Sequence, residues 1–219
     1  MTSPEVELRA AWRQIVGGER EPEHHHEHDH LLELVLACHR EPHRQYHTTT
    51  HVMWVLRHVN DLAIKEPIAG GADLAALALA ALYHDLVYDP QAADNEQRSA
   101  FAATTAAREL GWPAQRCTLV HRLVMATADH HPASPEEALL VDADLAVLGA
   151  EPNDYSAYAR GVRAEYQHVS DNNWRVGRSA VLRGFLALPH LYSTATMRSE
   201  RGARARANLT AELAALQAL

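Results

Sequence analysis

The sequence predicts an all-α fold, and three observations predict it. Alanine and leucine dominate the 219-residue chain, and alternating β-branched runs are scarce. Polar caps and prolines recur where helices would begin, and glycines or prolines where they would end.

Ser3-Pro4-Glu5 opens the first helix, with Ser as N-cap and Pro at the first helical position, where its missing N–H is not needed. Residues 31–40 and about 45–64 form two more helices, separated by Glu41-Pro42. Lys65 to Asp73, with Pro67 and Gly70-Gly71, is a loop. The next helix runs from about 73 to 86 and carries His84 and Asp85 at its C-terminal end. Asp94 caps a further helix, with Gln97 three residues on, and Gly111-Trp112-Pro113 closes it. A helix over 114–128 ends at His130-His131-Pro132. Ser134-Pro-Glu-Glu137 reads as a capping box, so a helix should run through Asp144 to Gly149. Helices over about 153–169 and 173–188 follow, and a last one over about 196–217 has Leu209, Leu213 and Leu216 on its core face. With no repeat and no linker, the pattern reads as one domain over 1–219.

Bulk composition narrows the function classes. Hydrophobic residues make up 47% and charged residues 22%, ordinary for a chain that buries its own core. A formal net charge of -8 argues against nucleic acid as a partner held over the whole surface, because such binders are basic. No run of about 18 apolar residues predicts a membrane span, and Met-Thr-Ser-Pro-Glu-Val-Glu lacks the basic and apolar parts of a signal peptide. A cytoplasmic location is the expectation. Cys38 and Cys117 lack a CxxC spacing and read as buried free thiols. The biased tract Glu23-His-His-His-Glu-His-Asp-His30 reads as a loop or helix extension, with metal chelation as the other reading.

The chemistry-bearing pattern is His51, then the doublet His84-Asp85, then Asp144, on three separate helical segments. Imidazole nitrogens and carboxylate oxygens together suit Mn, Fe, Co, Ni or Zn, and Mg less well. His47, His51 and His58 lie near one core-directed face, close to Val55 and Val59. Asp144 sits in Leu139-Leu-Val-Asp-Ala-Asp-Leu-Ala-Val-Leu-Gly149, where two aspartates in an apolar helix need a partner. Asp142 as the ligand, with Asp144 paired to an arginine, is the alternative. One metal is expected, and His121, His130 or His131 could add a second. Such a metal neutralises phosphate charge and makes water a better nucleophile. No GxSxG elbow and no Walker A loop offer other chemistry.

The order H…HD…D resembles the HD-domain superfamily of metal-dependent phosphohydrolases. Glu41-Pro-His-Arg-Gln-Tyr-His47, Tyr83-His-Asp-Leu-Val-Tyr-Asp89, Asn95-Glu-Gln-Arg-Ser99, Val141 to Gly149 and Arg163-Ala-Glu-Tyr166 are similar to a bacterial subgroup of predicted members. The resemblance implies an HD-type helical bundle, its metal-binding core over about 45–150, with additional helices over 153–217. It implies hydrolysis of a phosphomonoester or phosphodiester of a nucleotide-like small molecule, with His51, His84, Asp85 and Asp144 as ligands. A diiron oxygenase and a non-catalytic nucleotide-binding domain are the alternatives. Asp89 or Glu96 could orient or deprotonate the attacking water. His130 is a candidate contact to phosphate or water. Arg44, Arg163 and Arg178 are candidate phosphate clamps, because a guanidinium matches phosphate bidentately. Arg198, Arg201, Arg204 and Arg206 read as a solvated helix face. A homodimer is left open.

Overall fold

The computed structural model describes residues 3–17, 27–68 and 70–218, and among them it is all-α, with ten α-helices, one 3-10 helix and no strand. The chain divides into two compact units, Met1–Ala143 and Asp144–Leu219.

The first unit is organised around one helix that is apolar on every side. α1 (Pro4–Gly17), α2 (Asp29–Cys38), α3 (Thr49–Lys65), α4 (Leu74–Tyr83), α5 (Asn95–Glu109), α6 (Ala114–Met125) and α7 (Pro135–Asp144) follow in order. α4 reads LAALALAALY, with Leu77, Leu79, Leu82 and Tyr83 fully buried, and α1, α3, α5 and α6 pack around it. An all-round apolar helix is stable only as a centre. Each buried leucine contributes about 1.5–3 kcal/mol through water release. Asp73 caps α4 by accepting from the Ala76 N–H at 3.0 Å, and Arg116 from α6 holds that carboxylate at 2.6 and 2.7 Å. The chain therefore enters α4 at a fixed point, and His84-Asp85 lie in the turn just beyond its other end.

Local signals set most ends. Ser134 Oγ accepts from the Glu137 N–H at 3.2 Å, while the Glu137 carboxylate accepts from the Ala133 N–H, a capping box shifted by one residue. Gly111, at φ 75°, closes α5 as expected. Asp94 precedes α5 without capping it through its side chain. α2 begins at Asp29, two residues before the expected start. Glu23 to His26 lie outside the described residues, but the tract ends in contacts: His30 pairs with Glu109 at 2.6 Å and His28 is buried. Cys117 is buried as expected, whereas Cys38 is half-buried, and both are free thiols.

The second unit contains the 3-10 turn Leu145–Gly149, α8 (Pro152–Glu165), α9 (Asp171–Ala187) and α10 (Ala195–Gln217). The helix expected to run on to Gly149 tightens into this 3-10 turn after Asp144. A Cβ on Gly149 would lie 2.6 Å from the Arg201 Cβ, so only glycine admits α10 this closely. On α10, Leu209 is fully buried while Leu213 and Leu216 are half-buried. Of the α10 arginines, Arg198 is exposed as expected, but Arg201, Arg204 and Arg206 are not a solvated face. Arg201 and Arg204 donate to the carbonyls of Ala146 and Gly149, and Arg206 to those of Leu186, Leu188 and Pro189. They satisfy the carbonyls left open at the ends of the 3-10 turn and of α9. No described helix is long and apolar enough to cross a membrane.

Candidate metal centre

His51 projects from the first turns of α3, and His84 and Asp85 from the turn after α4. A turn, unlike a continuing helix, lets two adjacent side chains aim at one point. The Asp85 Oδ2 lies 3.1 Å from the His84 Nε2 and 3.3 Å from the His51 Nε2. The two Nε2 atoms are themselves 3.1 Å apart. Asp144 ends α7, whose earlier residues all belong to the first unit, and it completes the set: one ligand atom from each of His51, His84, Asp85 and Asp144 lies within 4.8 Å of every other. Among the described residues this is the one such group. Asp142, the alternative ligand, is fully buried and stands outside it.

The His84 tautomer is set from behind. His84 donates its Nδ1–H to the Ala81 carbonyl at 2.9 Å, which leaves its Nε2 as a bare lone pair in the neutral ring. The His51 Nδ1 lies 3.1 Å from the Tyr46 hydroxyl. With His51 donating there, both Nε2 lone pairs face each other, and only a proton or a cation between them makes that favourable. Burial opposes charge on Asp85, but when the rings are protonated the positive imidazoles of His84 and His47, with hydrogen bonds then donated by His51 and His84, outweigh it and hold its carboxyl well below the usual range. Ligands about 2.1 Å from an ion stand about 3.0–3.4 Å apart around it, which is the spacing of the His51, His84 and Asp85 atoms. The donor set fits a divalent metal.

The turn is pinned by Arg44. Its guanidinium is fully buried and donates to the carbonyls of Asp85 at 2.6 Å and Leu86 at 2.8 Å, and pairs with Glu41 at 3.0 Å. The other two arginines read as phosphate clamps are also engaged. Arg163 donates to the carbonyls of Tyr166 and Val169 and pairs with Asp171. Arg178 pairs with Glu212 at 2.8 Å and donates to the Tyr158 hydroxyl at 3.3 Å. None of the three presents its donors to an incoming anion.

The remaining candidates are spread around the turn. Asp89 is exposed, and its Oδ1 accepts from the Gln91 N–H at 2.9 Å. Asn95 clamps the Asp89 backbone from both sides, accepting from its N–H at 3.1 Å and donating to its carbonyl at 2.8 Å. Glu96 follows in the first turn of α5, half-buried. His130 has φ 57°, a conformation few non-glycine residues adopt. His121 lies 3.4 Å from the Thr104 hydroxyl, beside a groove of about 390 Å³ between α5 and α6. His131 donates to the Asp129 carbonyl. None of these three histidines belongs to the group of four.

Sequence reasoning missed Tyr46 and the pinning role of Arg44. Tyr46 reaches His51 across five residues because residues 43–48 are not helical, a spacing no helical pattern would flag. No known protein family, no curated protein and no solved structure matches this chain.

Proposed function

We propose that the chain is a metal-dependent phosphohydrolase of the HD type, acting on a phosphomonoester or phosphodiester of a nucleotide-like small molecule. The observation that carries the reading is the convergence of His51, His84, Asp85 and Asp144 within 4.8 Å, in the sequence order that the HD motif takes. When bound, a divalent transition metal supplies positive charge to a phosphoryl group and acidity to water. The chain's own residues do the rest. His51 and His84 present neutral Nε2 atoms because Tyr46 and the Ala81 carbonyl occupy their Nδ1 sides. Arg44 keeps the turn of Asp85 fixed, so the ligands need no rearrangement.

Glu96 is the favoured group to orient or deprotonate the attacking water, since the Asp89 carboxylate already serves its own turn. His130 remains a candidate contact to the substrate. Phosphate recognition by Arg44, Arg163 or Arg178 has no support in their present contacts. The test is a screen of nucleoside monophosphates and bis(p-nitrophenyl) phosphate with the Mn, Co, Ni or Zn form. Turnover that falls about 10²-fold or more in Glu96→Gln, with metal retained, is expected. No turnover of any phosphoester with any of these ions would sink the proposal.

A further inference from the structure

We infer that His47 is the side chain that contacts the ligand on the open side of the metal centre, donating a hydrogen bond to an oxygen of a phosphoryl group. The inference rests on the phosphohydrolase reading and names a residue that reading does not use.

The walls of the centre are closed. The side chains of His51 and His84 are 3% and 1% exposed, so nothing enters past them. Asp85 is 17% exposed and His47 19%, so both stand on its accessible side within the first unit, and Asp144 is half-buried. The His47 Nε2 lies 3.9 Å from the Asp85 Oδ2, the oxygen that also faces His51 and His84. That distance is too long for a hydrogen bond and is the spacing of two groups that flank a common third atom. A ligand that reaches the cation beside Asp85 therefore meets His47.

The ring is also held for this task. The Tyr88 ring packs on it with centroids 4.2 Å apart, Tyr46 meets it edge-on at 4.9 Å and His51 at 5.5 Å. Arg44, which pins the Asp85 turn, also donates to the His47 carbonyl at 3.4 Å. One buried guanidinium thus fixes the backbone of both rim residues. A side chain placed this way loses little freedom when it binds, which is what makes a hydrogen bond to a charged oxygen count. Arg44 is buried against backbone carbonyls, whereas His47 is partly exposed and brings its Nε2 within 3.9 Å of a ligand oxygen.

The probe is inorganic phosphate, added to the Mn²⁺-loaded full chain and followed by broadening of its ³¹P resonance. Wild type, His47→Ala and His47→Gln are compared, with metal content and helical circular dichroism measured on each. The expected result is saturable broadening in wild type, phosphate affinity reduced about tenfold or more in His47→Ala, and partial recovery in His47→Gln, with metal content unchanged. Equal phosphate affinity in all three would overturn the inference while leaving the phosphohydrolase reading intact. Loss of metal from both folded variants would overturn it too, by making His47 a ligand. Absence of broadening in metal-loaded wild type would instead fail the phosphohydrolase reading, and the inference with it.

Discussion

The polar clusters at Arg178 and at Asp85 are both withdrawn from water, yet only the first is complete in itself. Arg178 pairs with Glu212 through two contacts of 2.8 and 3.1 Å, and the hydroxyls of Tyr158 and Tyr155 reach the same pair. One cation meets one anion, with hydroxyls filling the remaining valences. Burial pushes the Tyr155 hydroxyl's pKa up, and its hydrogen bond to Glu212 adds to that, so it stays a donor at any ordinary pH. At Asp85 two carboxylates meet two imidazoles whose Nε2 atoms face each other at 3.1 Å. No positive charge in that group is permanent. A buried cluster that balances its own charge is scaffold, whereas one that lacks a cation is a place for one.

The comparison is broken most severely at Asp85. Asp85→Ala should remove the metal and lower phosphoester turnover by about 10³-fold or more, while the helical circular dichroism stays near wild type. A variant that kept full activity would contradict the ligand assignment. The matching change in the closed cluster, Arg178→Met, should leave Glu212 buried without its partner. We expect a loss of about 3–5 kcal/mol in urea unfolding, with metal content unchanged in the folded protein. If that variant instead lost metal and kept its stability, the two clusters would have exchanged roles.

Smaller changes sharpen the contrast. Tyr46→Phe removes the oxygen facing the His51 Nδ1, so metal affinity should fall about tenfold, read by competition with a chelator. An unchanged affinity would show that Tyr46 does not set the ring. A pH-dependent effect away from both clusters concerns His39, a buried imidazole outside the group of four. Burial pushes its pKa down to about 3, although its Nδ1 donates to the Val35 carbonyl. Because the folded pKa lies below the unfolded value of about 6.5, the unfolded chain takes up a proton that the native ring refuses. His39 therefore costs stability progressively as pH falls below about 6.5 toward 3, by at most about 1.4 kcal/mol per pH unit. His39→Leu should show a flatter stability profile between pH 6 and pH 4 than wild type, and parallel profiles would refute this.

Much of this was legible in the chain. The apolar run before His84 marked a helix, and the doublet at its end marked two adjacent candidate ligands. Asp144, with Asp142 as the alternative, followed from the order of the HD motif that the chain resembles. What could not be read were the partners of arginines. A guanidinium reaches several ångströms from its backbone, so Arg44, Arg163 and Arg206 find carbonyls that sequence spacing does not reveal. The Tyr46 contact was hidden for a related reason, since it crosses a non-helical stretch. The 3-10 turn after Asp144 was masked by an apolar run that reads equally well as α-helix.

The central claim is that His51, His84, Asp85 and Asp144 hold one cation. Its most direct test is elemental analysis of metal per chain, on untagged protein whose histidines at 24, 25, 26, 28 and 30 are replaced by serine. About one transition-metal ion per chain, absent from Asp85→Ala, is the result this account predicts. No bound metal after incubation with Mn, Co or Ni would contradict it.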